Sequence, residues 1–294
     1  MVATRLLSYQ LQRLNHRVKH AMSHNTNDTE LKIEVRQHVA TVEMRRPPHN
    51  YFDLQFITRL ANAFEALEAN ADVRALVLCA QGKAFSAGAK LTDPRSVPRP
   101  ESELSVNPIY AEALRLFAVT KPVVAAVHGA AVGGGLGLAL VADFRVTCPE
   151  ARFSANFARI GITPGFGLTA TLPRLIGTQR AASLFYTGRR IGGKEAIDIG
   201  LADVLVEQAY VRDHAIALAT DIAVSSPIAV GAIRAALRAG LVDAVRLAVA
   251  RESAQQYHQF ATEDFKEGVS AMAARRAPVF KGVDFSPEFQ AFQN

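Results

Sequence analysis

Two glycine-bearing loops are the places where this chain of 294 residues is equipped to do chemistry. Residues 84–91 read AFSAGAKL and residues 128–140 read HGAAVGGGLGLAL, and each follows a short apolar run of strand character. Glycine after a strand permits a tight turn whose peptide N–H groups point into a pocket, and a helix starting at such a turn adds the positive end of its dipole. A bound anion, or an oxyanion developing during a reaction, is what such turns hold. The phosphate-binding alternatives fail on spacing. There is no G-x-x-x-x-G-K-[ST], and GAAVGGG lacks both the GxGxxG order and an acid at the end of a second strand. On the residues alone, glycine for close packing stands beside glycine for catalysis.

The elements that must position these loops follow from hydrophobic pattern. LKIEVRQHVATVEMRR from Leu31 consists of two alternating segments meeting at Gln37-His38, which predicts a hairpin, and the turn RPPHN follows it. Asp53 caps a predicted helix to about Asn70 with Leu54, Ile57, Leu60, Ala61, Phe64 and Leu67 on one face, and VRALVLCA is then a buried strand. A Pro/Ser-rich excursion over 92–108 separates the first glycine loop from a helix through Tyr110 and Leu116. The stretch from Pro122 to Ala142 carries no charge and has membrane-spanning length, but it contains five glycines and His128. Each glycine costs a helix about 1 kcal/mol relative to alanine. The stretch therefore reads as a strand (Val123 to Val127), a glycine turn and a buried helix (Leu136 to Ala142) ended by Asp143, with DFRVTC as a further strand. Strand and helix alternate, which makes an α/β layered core. Beyond about Val206 strand signals vanish and helical segments succeed one another. Three regions result: an N-terminal extension (1–30), helical or flexible; an α/β core (31–205); and a C-terminal helical oligomerisation region (206–294).

Composition narrows the partners. With 49% hydrophobic and 20% charged residues the chain is an ordinary globular protein, neither disordered nor collagen-like nor built on disulfides. The net charge is +6, but Arg5, Arg13, Arg17 and Lys19 lie in an acid-free start, so the body from Asp28 onward is only +2. That distribution argues against a nucleic-acid-binding body, which would cluster its cations on a folded face. Cys79 and Cys148, far apart in apolar runs, read as small buried hydrophobes. The first stretch places Leu7, Leu11, Leu14, Val18 and Met22 at helical spacing without the apolar core of a secretory signal. The expectation is a cytoplasmic protein, or one of an organelle matrix if that start is a transit peptide, with no metal and no membrane span.

The order of motifs adds a resemblance. F-S-A-G-A-x-L, then K-P-V-V-A-A-V-H-G-A-A-V-G-G-G-L-G-L-A-L-x-A-D-F-R, then A-R-F-S and I-G-I-T-P-G, together resemble the crotonase (enoyl-CoA hydratase/isomerase) superfamily from about Leu31 to Val283. Arg46-Pro47 before Asn50, LPRLIG, FYTGRRIGGKEAIDIGLAD and EGVSAMAARRAPVFKG support it. The resemblance implies a crotonase-like spiral of ββα units with a C-terminal helical trimerisation region, in homotrimers or dimers of trimers. The substrate it implies is an acyl-coenzyme A thioester, with no cofactor beyond the coenzyme A moiety itself. It implies that the backbone N–H groups of Ala89 and Gly134 hold the enolate oxygen. Coenzyme A would run along Ala87, Lys90 and Leu91, with Arg46 near its phosphates and Phe280 and Lys281 near its adenine.

Hydration of an enoyl double bond needs groups that activate water and protonate carbon, each worth about 10² to 10⁴ in rate. Hydratases of the family use two glutamates, whose positions here hold Gly137 and Phe157; the alternative isomerase position holds Gly165. None is an acid. Tyr110 is the leading replacement, ahead of His49, Asn156, Thr163 and Glu112. His128 and Asp143 read as structural. The expected function is enolate chemistry on an acyl-CoA thioester without the usual glutamates, with a decarboxylase or carbon–carbon lyase and a silent acyl-CoA-binding paralogue as alternatives.

Overall fold

A computed structural model of the chain describes residues 29–91, 102 and 104–282. The expectations for residues 1–28, and most of those for 92–108, fall outside the described residues. Strands β1 (Leu31–Arg36) and β2 (Val39–Met44) form the predicted hairpin, with Gln37 and His38 both at positive φ (48° and 67°), as a two-residue turn matched to strand twist requires. The remaining strands alternate between two sheets. β3 (Ala75–Ala80), β5 (Val123–Val127), β7 (Phe144–Thr147) and β10 (Val204–Leu205) continue from β2 as a parallel sheet in the order β1-β2-β3-β5-β7-β10. β4 (Ala84–Ser86), β6 (Ala130–Val132), β8 (Arg152–Ser154) and the antiparallel β9 (Arg190–Gly192) form a second sheet in the order β4-β6-β8-β9. β3, β5 and β7 of the large sheet are thus each followed by a strand of the small sheet, and helices complete the turns of the spiral.

Strands β3 and β5 are buried on both faces, which is why ALVLCA and VVAAV read as unbroken apolar runs. The helix Leu54–Ala69 starts where expected: the Asp53 carboxylate accepts the Phe56 N–H at 2.8 Å. Phe56 shares its buried face, while Leu54 is half-buried at the first turn.

The second glycine loop differs from its sequence reading. The expected plain turn contains strand β6, because Ala130–Val132 finds pairing partners on both sides in β4 and β8, and the helix runs over Gly134–Ala139 rather than Leu136–Ala142. Its start lies directly on β4: a methyl group added at Gly135 would sit 2.1 Å from the Ser86 carbonyl oxygen. Only glycine permits that approach.

Beyond β10 the described elements are helical apart from irregular connections, as expected. The helix Val211–Ala223 nevertheless packs on β2, β3, β5 and β7 and completes the core layer, since its buried positions Val211, Ala215, Ala219 and Ala223 recur every four residues. The helices Pro227–Leu237 and Leu241–Gln259 leave Ile228, Ile233, Leu237 and Leu247 exposed.

Asp143 joins these helices to the core. Its carboxylate accepts the Val123 N–H (2.9 Å), Arg234 Nε (2.8 Å) and Arg238 Nη1 (2.9 Å). Asp143→Ala is expected to destabilise the fold by about 2 kcal/mol, the low side of what stranding buried partners costs, because both guanidiniums retain some water. Urea unfolding checks it, and an unchanged midpoint refutes the anchor.

Candidate active site

The first glycine loop is braced from the hairpin side. Asn50, almost fully buried, donates from Nδ2 to the carbonyls of Gln81 and Ala84 (both 2.7 Å), and its own carbonyl accepts the Ser86 hydroxyl (2.8 Å). Along the loop the amides are consumed in order. Ala87 N–H donates to His49 O (2.9 Å) and Gly88 N–H to Ser86 Oγ (3.2 Å). Phe52 N–H takes Gly88 O (3.0 Å) in a parallel bridge that pairs Phe52 with Ala89. In that pattern Phe52 bonds the peptides flanking Ala89, so the Ala89 N–H faces away from it. Among the described residues this amide has no acceptor.

The second loop repeats the arrangement. Gly133 N–H donates to Ser154 O (2.9 Å), while Leu136 and Gly137 N–H turn back to Gly133 O (3.0 and 3.2 Å). Gly134, the first residue of its helix, has no intrahelical acceptor for its N–H. No other partner for it exists among the described residues. The two loops abut. A methyl group added at Gly88, where φ is +76°, would lie 2.9 Å from Val132 O and 3.1 Å from Gly134 N. Phe52 holds both: its backbone bridges to Ala89, and a methyl group added at Gly134 would meet the tip of its ring at 2.7 Å.

Both amides border a cavity of about 310 Å³ whose wall includes Ala87, Lys90, Leu91, Tyr110, Asn156, Phe157 and Arg190. No Asp, Glu, His or Cys lines it among the described residues. The positions at which family hydratases and isomerases hold carboxylates are physically closed or apolar. A side chain at Gly137 would meet the Phe166 ring at 2.7 Å, and one at Gly165 would meet the Tyr110 hydroxyl oxygen at 1.9 Å. Phe157, 7% exposed, lines the wall with its ring tip near Gly133. Phe166 sits in an aromatic cluster with Phe52, Tyr110 and Phe117, ring centroids 5.7 to 6.5 Å away. Rings occupy the volume where carboxylates would act.

Tyr110 is in the wall, and its hydroxyl donates to Gln256 Oε1 (2.9 Å) while Gln256 Nε2 donates to Thr163 O (2.9 Å). Burial, together with the nearby Glu252 carboxylate, pushes the phenol well above its ordinary range, so the hydroxyl keeps its proton. Glu252 is buried, and burial raises its pKa too; it accepts Gly167 N–H (2.8 Å), Thr169 N–H (3.0 Å) and Thr169 Oγ1 (2.6 Å). Glu252, Ser253, Gln256 and Gln259 form a polar stripe on the helix Leu241–Gln259 that ties the Asn107, Thr163 and Gly167 segments together. Sequence reasoning passed over this stripe. Its signal was a polar set at i, i+1, i+4 and i+7 on a helix read only for apolar spacing.

Other candidates are placed elsewhere. Arg46, expected at the coenzyme A phosphates, does not line the cavity: it pairs with Glu30 and Asp53 (both 2.9 Å), donates to Tyr51 O and covers the Phe56 ring. Its charge is committed to the loop brace. Phe280 and Lys281 are exposed and also outside the wall, with Lys281 N–H on Asp264 (2.8 Å). His49 stacks edge-on with Tyr51, Thr163 bonds Gln259, and Glu112 pairs with Arg115; only Asn156 of these alternatives faces the cavity. His128 donates to Gly82 O at 2.9 Å beside a separate cavity. Cys79 and Cys148 are free and buried, and burial pushes the Cys79 thiol up to about 12.

Comparison with known proteins follows the same lines. A family model described as enoyl-CoA hydratase/isomerase matches residues 34–283. The chain is 34% identical over 254 residues to a probable enoyl-CoA hydratase of Bacillus subtilis (strain 168), covering 86% of this chain and 98% of that protein. It is 32% identical over 254 residues to a 1,2-epoxyphenylacetyl-CoA isomerase of Escherichia coli (strain K12), covering 84% and 97%. The crystal structure of an enoyl-CoA hydratase/isomerase from Pseudoalteromonas atlantica T6c superposes with a TM-score of 0.77 at 27% identity, covering 86% of this chain and all of the other. Among the described residues no single helix is long and apolar enough to cross a membrane.

Proposed function

The chain belongs to the enoyl-CoA hydratase/isomerase family, and we propose that it acts on an acyl-CoA thioester whose carbonyl oxygen sits between the N–H groups of Ala89 and Gly134. One observation carries this reading. In two loops that touch each other, the amides of Ala87, Gly88 and Gly133 are spent inside the protein, whereas those of Ala89 and Gly134 are unspent among the described residues and border one cavity. Fixed donors aimed at a developing oxyanion are worth about 10² to 10³ in rate each. Coenzyme A then runs along Ala87, Lys90 and Leu91 at the same rim.

The carboxylate-free wall selects the reaction type. Without a carboxylate to abstract a proton or activate water, the enolate is best generated by heterolysis of a bond at the α-carbon. The electron pair of a carbon–carbon bond moves onto the thioester oxygen, carbon dioxide departs from a carboxylate, or a carbonyl product departs from a β-hydroxyl whose proton passes to water, and a proton returns to the α-carbon. Tyr110, kept protonated by its burial, is the wall group to return it, and water restores the phenol. A second reading, acyl-CoA binding without turnover, is favoured by the same lack of a carboxylate or histidine in the wall among the described residues.

Purified protein incubated in deuterated water with enoyl-, malonyl- and hydroxyacyl-CoA thioesters separates these. Deuterium at the α-carbon, or loss of carbon dioxide or a carbonyl fragment, is the expected result. Binding with neither leaves the silent paralogue. Hydration of crotonyl-CoA at ordinary enzymatic rates overturns the assignment of an acid-free wall.

A further inference from the structure

The small sheet lays out the cavity in strand order. Ala89 follows β4, Gly134 follows β6, Asn156 and Phe157 follow β8, and Arg190 begins the antiparallel β9, so all four groups lie at one end of the sheet. Ser154, at the end of β8, is the register partner of Arg190. Among the described residues two cations line the cavity, Lys90 beside the edge strand β4 and Arg190 on the opposite edge. The thioester oxygen, placed between Ala89 and Gly134, belongs to the β4/β6 side, which leaves Lys90 with the coenzyme and Arg190 with the far end of the acyl group.

Arg190 is exposed, and among the described residues it has neither an ion-pair nor a hydrogen-bond partner. The nearest acid along the chain, Glu195, is taken by Arg189 at 2.6 Å. The Asn156 carboxamide, also without a partner among the described residues, lies on the β6 side of the same cavity, its oxygen close to Gly133. The wall also carries the apolar side chains of Phe157, Ile160 and Ile162. A guanidinium with no counter-ion among the described residues, on the β9 side of a cavity with apolar walls, matches an acyl chain that is apolar along its length and anionic at its tip, because its planar fork donates two parallel hydrogen bonds to a carboxylate.

We propose that Arg190 is a specificity-determining residue that selects acyl-CoA thioesters carrying a distal carboxylate. The proposal rests on the acyl-CoA reading of the cavity. Two interstrand spacings separate β6 from β9, roughly 10 Å, a span suited to a dicarboxylic acyl group of about four to six carbons once the carboxylate–guanidinium contact is included.

Calorimetric titration with three unreactive probes tests this: glutaryl-CoA, valeryl-CoA and free coenzyme A, each with the wild-type chain and with Arg190→Gln. Glutaryl-CoA is expected to bind the wild type about tenfold more tightly than valeryl-CoA. Arg190→Gln is expected to remove that preference while leaving valeryl-CoA unchanged. If valeryl-CoA and glutaryl-CoA bind the wild type equally, the specificity proposal fails and the acyl-CoA reading survives. A variant that weakens all three probes alike assigns Arg190 to the coenzyme phosphates and overturns the proposal. If none of the three binds the wild type, the acyl-CoA reading itself falls.

Discussion

Placing lactic acid at position 89, which turns the Ala89 amide into an ester, deletes its N–H and weakens the Gly88 carbonyl as an acceptor, is expected to slow α-carbon exchange or bond cleavage about 10²- to 10³-fold. That is the usual effect of removing one oxyanion donor. Stability should fall by less than about 1 kcal/mol, through the weakened bond from Phe52 N–H to Gly88 O. An amide bonded inside the protein contributes roughly 1 kcal/mol on balance, but the Ala89 N–H has no internal acceptor among the described residues. The same exchange at Gly88, whose N–H is held by Ser86 Oγ at 3.2 Å, serves as the contrast: it should cost stability first. The two ester variants are compared by exchange rate in deuterated water and by urea midpoint. If the ester at position 89 turns over like the native chain, the thioester oxygen is bound elsewhere.

A second large effect is a gain. Phe157→Glu puts a carboxyl on the cavity wall at the family's second glutamate position, and α-proton exchange into an acyl-CoA thioester is expected to rise by about 10² to 10⁴. Phenylalanine already holds open the volume, and glutamate is the smaller side chain. The other two positions do not offer this. At Gly137 the incoming side chain collides with Phe166 at 2.7 Å, and at Gly165 with the Tyr110 oxygen at 1.9 Å, so glutamate there is expected to disrupt the fold rather than add activity. In an apolar wall, desolvation raises the pKa of the new carboxyl. Its useful form is the ionised base, so the gained rate should climb as pH rises through that elevated value and be absent below it. Exchange followed by NMR across pH reads both features. A Phe157→Glu protein that binds acyl-CoA yet exchanges no faster than the native chain would refute the geometry assigned to the wall.

How much of this was legible in the sequence can be argued from particular residues. The Gln37-His38 hairpin, the Asp53 cap and the buried β3 and β5 follow from patterns whose cause is local: a two-residue turn, a side chain reaching an N–H three residues on, a run of apolar residues. The two glycine loops were legible for the same reason, since positive φ and close approach restrict the residue type. The absence of acids at Gly137, Phe157 and Gly165 was also readable, because identity at a position needs no coordinates. β6 was not legible. AAV pairs only because β4 and β8 flank it, and a strand of three residues leaves no periodicity to detect.

The sequence by itself therefore determined the hairpin, the capped helix, the buried strands of the large sheet, the family and the fact that its carboxylates are missing. Only the tertiary structure decided that Phe166 and Tyr110 fill the vacated volumes, that Arg46 is committed to Glu30 and Asp53, and that the polar stripe from Glu252 to Gln259 braces the wall. It also decided which loop amides are spent. The physical reason is common to all of these. Burial, occupancy and hydrogen-bond partnership are properties of pairs of groups far apart along the chain, such as Tyr110 and Gln256, and no local pattern encodes which distant group arrives to fill a space or to take a proton.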